Sequence, residues 1–191
     1  MTNTIDRLRR EHRNLERLVS LLVRQPLWET APPVHAIELL VDALYYLTRF
    51  PDVSHHPLED LIAERLRAKG VALAGVGEEI EAQHATLARQ GSDLLRDLES
   101  AAREETMSWA LIGANICLYG ERLRHNMAVE ELALFPAAEH SLDEEDWVII
   151  DNGTRRAEPD PLFPAPVEAR FVQLHRVIAA EAGCGCDDAD P

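Results

Sequence analysis

The sequence predicts an all-α protein: an antiparallel, up-down-up-down four-helix bundle with one or two short helices at its C-terminal end. Two observations lead to this fold class. Apolar residues recur at helical spacing along most of the 191 residues, whereas the alternating runs and hairpin dipeptides that mark β-strands are almost absent. The segments between the helical runs are short, so consecutive helices are expected to run antiparallel to one another.

Four long helices are predicted within the first 140 residues. In chain order they cover residues 4–25, 33–69, 75–101 and 106–139. Pro26 follows the first helix and Gly70 ends the second, as expected of residues that stop helices. Pro51 lies inside the second helix, where it removes one intrahelical hydrogen bond and predicts a kink.

A shorter helical region is predicted after these four helices. Ser141 and Glu144 form a capping box, which predicts a helix that extends to residue 152. A proline-rich connection, PDPLFPAP, then leads to a last helix over residues 167–181. We therefore expect three parts: the bundle (1–140), a helical appendage packed on it (141–181) and a flexible tail (182–191).

The apolar residues of the appendage leave two alternatives open. They would suit a homodimer interface, or they would pack back on the bundle. The residues concerned are Phe163, Phe171, Leu174 and Ile178.

Composition limits the classes of binding partner and the cellular compartment that we expect for the protein. The formal net charge is −15, from 34 acidic and 19 basic residues, which argues against nucleic acid or an anionic membrane surface as a partner. No apolar run approaches the roughly 20 residues that span a bilayer, and the N-terminal segment lacks the apolar core of a signal peptide. The three cysteines are an odd number without framework spacing, which fits a reducing environment. We expect a cytoplasmic protein.

Histidines and glutamates fall on the apolar stripes of the first three helices. His12 lies on the core face of the first helix, and His84 shares the stripe of the third. In HHPLED of the second helix, His55 and Glu59 are four residues apart and share the inward face. His56 lies about 100° round the helix from His55, so it is expected mainly as a partly exposed side chain.

The fourth helix contributes a less regular set. Its stripe passes through Asn126 or Met127, and His125 lies one residue from the centre of that stripe. Glu130 is on the stripe, and Glu131 lies beside it. The four helices therefore each send one histidine inward, and two of them add a carboxylate.

This combination predicts a metal site. A buried carboxylate without a positive partner is costly, and no lysine or arginine shares the stripes. One or two divalent cations would supply the missing charge. Imidazole and carboxylate ligands suit iron, zinc or manganese, and bridging carboxylates hold pairs of metals in bundle cores.

Four segments, one on each long helix, resemble the hemerythrin-like HHE cation-binding family: REHRNLERL, FPDVSHHPLED, EAQH and HNMAVEELALFPAAE. The resemblance implies a four-helix bundle with a non-heme, oxo- or hydroxo-bridged pair of iron ions. Such centres bind O2, nitric oxide or peroxide for sensing, storage or defence. By position, the ligands that the resemblance implies are His12, His55, Glu59, His84, His125 and Glu130.

The chain departs from the family pattern at two positions. Ile80 stands where oxygen-carrying hemerythrins have the first histidine of a His-x3-His pair, and Glu81, spaced for a Glu-x2-His pair with His84, is either its replacement or a solvated acid. Asn126 stands where many relatives have a histidine, so either His125 reaches the metal by a local helix bulge or the second metal is weakly held. His56 and Glu131 are further candidate ligands.

Two alternatives to a binding protein for small ligands stay open. An open coordination position favours a ferritin-like di-iron oxidase or peroxidase, so whether the protein is an enzyme is undecided. The other alternative is a helical interaction module whose metal is structural or lost.

Overall fold

The structure, a computed structural model, describes residues 2–24, 32–71, 75–103, 108–153, 160–163 and 166–181. Every regular element in these ranges is helical, which confirms the predicted all-α class. In this part of the chain each helix is too short or too polar to traverse a lipid bilayer. The helices are α1 (Thr2–Val23), α2 (Val34–Phe50), α3 (His56–Ala68), α4 (Val76–Ala102), α5 (Trp109–Val129), α6 (Phe135–Ser141), α7 (Glu144–Gly153) and α8 (Val172–Glu181), with a 3-10 turn (Ala169–Phe171) before α8.

Two π-helical turns join consecutive helices. They are the first π turn, Pro51–His55 between α2 and α3, and the second π turn, Glu130–Leu134 between α5 and α6. The first stands where the sequence predicted a proline kink. In it the amide of His56 donates to the carbonyl of Pro51, and the Ser54 hydroxyl donates to the carbonyl of Phe50 (2.9 Å). These bonds keep the backbone satisfied across the wider turn.

The long helices enclose the core as four rods: α1, α2 with α3, α4, and α5 with α6. α4 packs against α2, α3 and α5, while α1 packs against α2 and α5. The buried apolar side chains form two clusters, and every rod contributes to both. The larger cluster also takes in α8, and the smaller one takes in α7.

The capping box of α7 consists of Asp143 and Asp146, so the predicted box of Ser141 and Glu144 is wrong. The Asp143 carboxylate accepts from the amides of Glu145 and Asp146, and the Asp146 carboxylate accepts from the amide of Asp143 (3.0 Å). Ser141 cannot begin this helix because it is the last residue of α6.

Asp146 also anchors α7 to α3. Its buried carboxylate accepts from the Arg65 guanidinium (2.6 Å) and the Lys69 ammonium (2.5 Å). The hydrogen bond from Lys69, together with that from Arg65, outweighs burial and holds the pKa of Asp146 well below its ordinary value. The ion pairs therefore fix the first turn of α7 on the outer face of α3.

The apolar residues near the C-terminal end pack back on the rods, which decides between the two alternatives for these side chains. Phe171, Leu174 and Ile178 are buried in the larger cluster. Phe163 packs edge-on against Tyr46 of α2, with ring centroids 5.8 Å apart. The predicted flexible tail, 182–191, lies outside the described residues.

Gly91 allows α2 and α4 to approach closely. A Cβ at this position would overlap the Cγ2 of Thr48 and would lie 3.3 Å from the ring of Tyr119. Both neighbours belong to packed helices, so neither can withdraw without disturbing the core.

Replacing Gly91 by alanine is expected to destabilise the protein, although alanine favours a helix by about 1 kcal/mol over glycine. Overpacking costs about 1–3 kcal/mol, so we expect a net loss of roughly 1 kcal/mol in urea unfolding. Thr48→Ser removes the clashing methyl group, and the double variant should recover most of the loss. A Gly91→Ala variant more stable than the parent would contradict the close approach.

Candidate metal centre

Four buried side chains converge between the rods. Their potential ligand atoms all lie within 4.8 Å of one another. The side chains are His12 of α1, His55 of the first π turn, Glu59 of α3 and Glu130 of the second π turn. Each is at most 3% exposed.

The site forms a polar layer that separates the two apolar clusters. Along α1, Leu8 belongs to the smaller cluster and Leu15 to the larger, with His12 between them. Along α4, His84 lies in the same way between Ile80 and Leu87, and the other two rods repeat the pattern. Apolar packing above and below the layer keeps bulk water away, which strengthens every electrostatic interaction inside it.

The two glutamates lie at the centre, and three imidazoles face them through Nε2. The Nε2 of His12 is 3.3 Å from Glu59 and 3.3 Å from Glu130, and that of His55 is 3.2 Å from Glu59. The Nε2 of His84 is 3.0 Å from Glu130 and 3.6 Å from Glu59.

A ring of outer carboxylates holds the other nitrogen of each imidazole. Because a carboxylate accepts, each Nδ1 donates. In His12, His55 and His84 the Nε2 is directed at the central glutamates. Histidines that bind metals in proteins usually have this second hydrogen bond, which fixes the tautomer and the ring orientation. The pairs and their Nδ1–oxygen distances are His12–Glu131 (2.9 Å), His55–Glu11 (2.8 Å), His56–Asp52 (3.0 Å) and His84–Asp60 (3.1 Å).

The charges of the centre are strongly coupled. Burial disfavours the protonated form of His12, but its close contacts with the carboxylates of Glu130 and Glu59 outweigh burial and raise the pKa of His12 to about 10. Burial is also outweighed at His55, where the charge of Glu59 and the hydrogen bond to Glu11 raise the pKa to about 9. Burial alone would raise the pKa of Glu59, but the neighbouring imidazoles hold it well below its ordinary value. Without a metal, protons on the imidazoles therefore balance the buried acids.

The pKa values of the remaining two imidazoles, His84 and His56, shift in opposite directions. At His84, hydrogen bonds to Asp60 and Glu130 outweigh burial and raise the pKa to about 10. At His56, burial outweighs the hydrogen bond to Asp52, and the pKa is lowered. His56 therefore keeps a neutral ring beside charged ones.

The donor set fits a metal ion. Among the described residues, three buried side-chain atoms have no hydrogen-bond partner: Nε2 of His56, Oε2 of Glu59 and Oε2 of Glu130. All three belong to this layer. Buried polar atoms are normally paired, and a cluster of unpaired imidazole and carboxylate atoms is what a divalent cation would satisfy.

The structure places two of the predicted ligands outside the centre. His125 is 65% exposed on the outside of α5, with its Nε2 3.8 Å from Glu79, because Asn126 and Met127 occupy the inward face. The second π turn begins at Glu130, too far along the chain to rotate His125 inward.

Glu81 is also outside the centre. It is exposed and pairs with Arg67 of α3 (3.0 Å), so it does not replace the ligand that Ile80 lacks. Ile80 itself is buried in the smaller apolar cluster.

The expected partial exposure of His56 is wrong as well. The residue is only 6% exposed, because the flank of α3 that carries it faces α4 rather than solvent. Asn126 is buried and donates to Glu130 (2.7 Å), so the fourth rod offers an amide at this point.

The sequence reasoning missed three of the outer carboxylates. Glu11, Asp52 and Asp60 are indistinguishable from solvated helix acids by composition alone. One signal was present: Asp52 and His56 have the same four-residue spacing as His55 and Glu59. Glu131, a candidate ligand, lies in this outer ring, 45% exposed.

A comparison with protein families agrees with the geometry. The family model described as the hemerythrin HHE cation-binding domain matches residues 3–138, which include the whole polar layer. No curated protein and no solved structure matched the chain.

Proposed function

Because the chain belongs to the hemerythrin HHE cation-binding family, we propose that it is a non-heme di-iron protein that binds O2, nitric oxide or peroxide. The ligands that we propose are His12, His55, Glu59, His84 and Glu130. A bound pair of iron ions would supply open coordination positions and electrons for a small ligand.

The orientation of the two glutamates carries this proposal. Glu59 turns Oε1 to His12 and His55 and Oε2 to His84. Glu130 turns Oε2 to His12 and Oε1 to His84. Each carboxylate thus offers one oxygen to either side, which is the arrangement that bridges two ions.

We also propose that the rods form the up-down-up-down bundle of the family. The polar layer supports this, because α1 and α4 pass from the smaller apolar cluster to the larger, and the other two rods pass in the opposite sense. The segment after residue 140 is then an appendage, held by α7 on α3 and by α8 on α2.

The chain's own residues orient the imidazoles and exclude water. The outer carboxylates fix the rings, and the ring of Phe135 stacks on His12 with centroids 5.3 Å apart. Ile80 closes the layer from the smaller cluster with an apolar side chain. These contacts hold the imidazoles and carboxylates in fixed orientations and keep bulk water away from them.

A cleft between α4 and α5 supports a small ligand as the partner. The cleft has a volume of about 470 Å³, and its wall includes Gln83 and His125. Gln83 accepts a hydrogen bond from the buried Asn126 (3.2 Å), which in turn contacts Glu130 (2.7 Å). Asn126 therefore links a residue of the cleft wall to the centre through two hydrogen bonds.

A ferritin-like oxidase or peroxidase is the second candidate. Ile80 favours it, because an apolar residue where a ligand is expected leaves more coordination positions open on one ion. Zinc or manganese would fit the same ligands. Catalytic consumption of peroxide or Fe(II) would separate an enzyme from a protein that binds its ligand stoichiometrically.

The first test is the metal content of the protein purified without added metal. We expect about two iron ions per chain, because Glu59 and Glu130 are the carboxylates that we propose to bridge a pair. The optical spectrum of the reduced protein should gain a near-ultraviolet charge-transfer band when air is admitted, and nitric oxide should change the spectrum of the reduced form.

Two results would contradict the proposal. One zinc ion with a featureless spectrum, or no metal after reconstitution with Fe(II), would leave a helical interaction module as the better description. His125→Leu is the matched control, since the loss of this exposed side chain should leave the iron content unchanged.

A further inference from the structure

We propose that His56 is a metal ligand and that, with His84, it holds the second of the two ions. Each ion then has two imidazoles, and the two ions share Glu59 and Glu130. This inference rests on the proposed di-iron function and assigns the second ion a residue that the ligand set above lacks.

The first observation is that His56 is held in the same way as the other three imidazoles. Its side chain is 7% exposed, and its Nδ1 donates to Asp52 at 3.0 Å. In His12, His55 and His84 the corresponding Nδ1 donates to an outer carboxylate, while Nε2 faces the central glutamates. In His56 the Nε2 is buried and has no hydrogen-bond partner.

An unpaired buried nitrogen is costly in a core that an apolar residue could fill. A buried acceptor without a partner has lost its hydrogen bonds to water, and no protein group replaces them. Leu58 and Ala63 of the same rod lie in the adjoining smaller cluster and are fully packed apolar residues. A ligand for Nε2 removes this penalty and explains why an imidazole with a carboxylate partner occupies the position.

The second observation is the position of the ring. It stacks on the ring of His84 with centroids 4.0 Å apart and planes within 14°. The Nε2 of His84 faces Oε2 of Glu59 at 3.6 Å and Oε1 of Glu130 at 3.0 Å. His12 faces the other oxygen of each glutamate. His56 therefore adds a second imidazole on the side where the first ion's ligands do not reach.

The protein ligands are then divided equally between the two ions. His12 and His55 serve one ion, His56 and His84 serve the other, and the shared carboxylates complete four protein ligands for each. Iron accepts six ligands, so positions remain open on both ions. The fourth rod supplies a carboxylate and no imidazole, since His125 is on the surface.

The test measures the Co²⁺ stoichiometry of the full chain by equilibrium dialysis. The ligand-field spectrum of the bound Co²⁺ is recorded on the same samples. The parent protein should bind two ions, and His56→Leu should bind one ion with unchanged affinity and the second at least about 10–100-fold more weakly. His125→Leu should bind two ions as the parent does. Circular dichroism of the metal-free variants establishes that they fold.

The outcomes separate the two proposals. If the parent binds no Co²⁺, the di-iron function fails, and this inference fails with it. If the parent and His56→Leu both bind two ions with the same spectra and affinities, the di-iron function stands and His56 is not a ligand. A parent that binds a single ion also overturns the inference.

A direct measurement covers the case in which His56→Leu does not fold. In the zinc-loaded parent labelled with ¹⁵N histidine, the Nε2 resonances of four imidazoles should take metal-bound shifts while their Nδ1 stays protonated. An Nε2 resonance of His56 that does not move between the metal-free and the zinc-loaded protein would overturn the inference.

Discussion

Replacing Glu59 by glutamine is expected to abolish binding of both metal ions while the helical fold persists. Glu59 is fully buried and lies within 3.6 Å of the Nε2 atoms of His12, His55 and His84. Among the described residues it is the one carboxylate that contacts all three of these imidazoles, so its charge acts on both sides of the layer. Loss of a residue that hydrogen-bonds to a ligand weakens a metal site by about 10–100-fold, and loss of a bridging ligand should exceed that range.

The substitution keeps the size of the side chain, so packing is not the variable that changes. Calorimetric titration with Co²⁺ should show no tight site in Glu59→Gln. Glu131→Gln is the matched control, because Glu131 contacts the outer nitrogen of His12 and is 45% exposed. It should retain both ions with a loss of about 10-fold in affinity. Two tight sites in Glu59→Gln would refute the bridging role.

Removal of the metal should lower thermal stability, and the loss should grow as the pH rises. A ligand that is present at a thousand times its Kd stabilises the folded state by about 4 kcal/mol, which corresponds to roughly 10 °C in Tm for a chain of this size. In the metal-free protein, protons on His12, His55 and His84 take over part of the metal's role.

The sign follows from the direction of each pKa shift. The imidazoles have folded pKa values of about 9 to 10, above the ordinary 6.5, so their protonated forms stabilise the metal-free fold. That contribution is complete below about pH 6.5 and is lost as the pH rises toward 9 to 10. Glu59 has a lowered pKa, so its contribution is present above about pH 4.5 and is lost in acid. The metal-free protein should therefore gain most from these groups between pH 4.5 and 6.5.

Metal binding must displace the imidazole protons. At pH 7.5 we expect loading with Zn²⁺ to release up to three protons per chain, one from each imidazole with a raised pKa. Calorimetry in buffers of different ionisation enthalpy measures this number, and Tm measured from pH 6 to 9 with and without Zn²⁺ measures the stability difference. A difference that shrinks with rising pH would show that protons do not occupy the site.

Helical periodicity predicts most of the centre because two of the rods, α1 and α4, are regular helices around their ligand residues. His12 and His84 lie on regular helices, so the apolar stripe alone placed them on the inward face. Glu130 was placed in the same way, since the stripe of α5 runs continuously up to the second π turn.

The structure differs from the sequence prediction where packing against a neighbouring helix, rather than helical periodicity, decides which side chain faces inward. The stripe of α5 passed through Asn126, but the spacing of the family motif favoured His125, and the structure follows the stripe. His56 appeared partly exposed because a single sequence does not show which neighbour covers a flank, and here it is α4. Neither π turn was predicted as such, because the hydrogen-bond pattern of one turn leaves no mark on the composition.

The first π turn also bears on how the chain tolerates insertions and deletions. An i to i+5 turn encloses one residue more than an α-helical turn, and the segments on both sides keep their faces toward the core. Val53 is half exposed within this turn, and its deletion should restore a regular helix with Phe50 and Glu59 still facing inward. A deletion in the middle of α4 has no such outlet, and it would rotate every later residue of that helix by about 100°. Length variation among related chains is therefore expected at the π turns, and motifs defined by fixed spacing will misalign there by one residue.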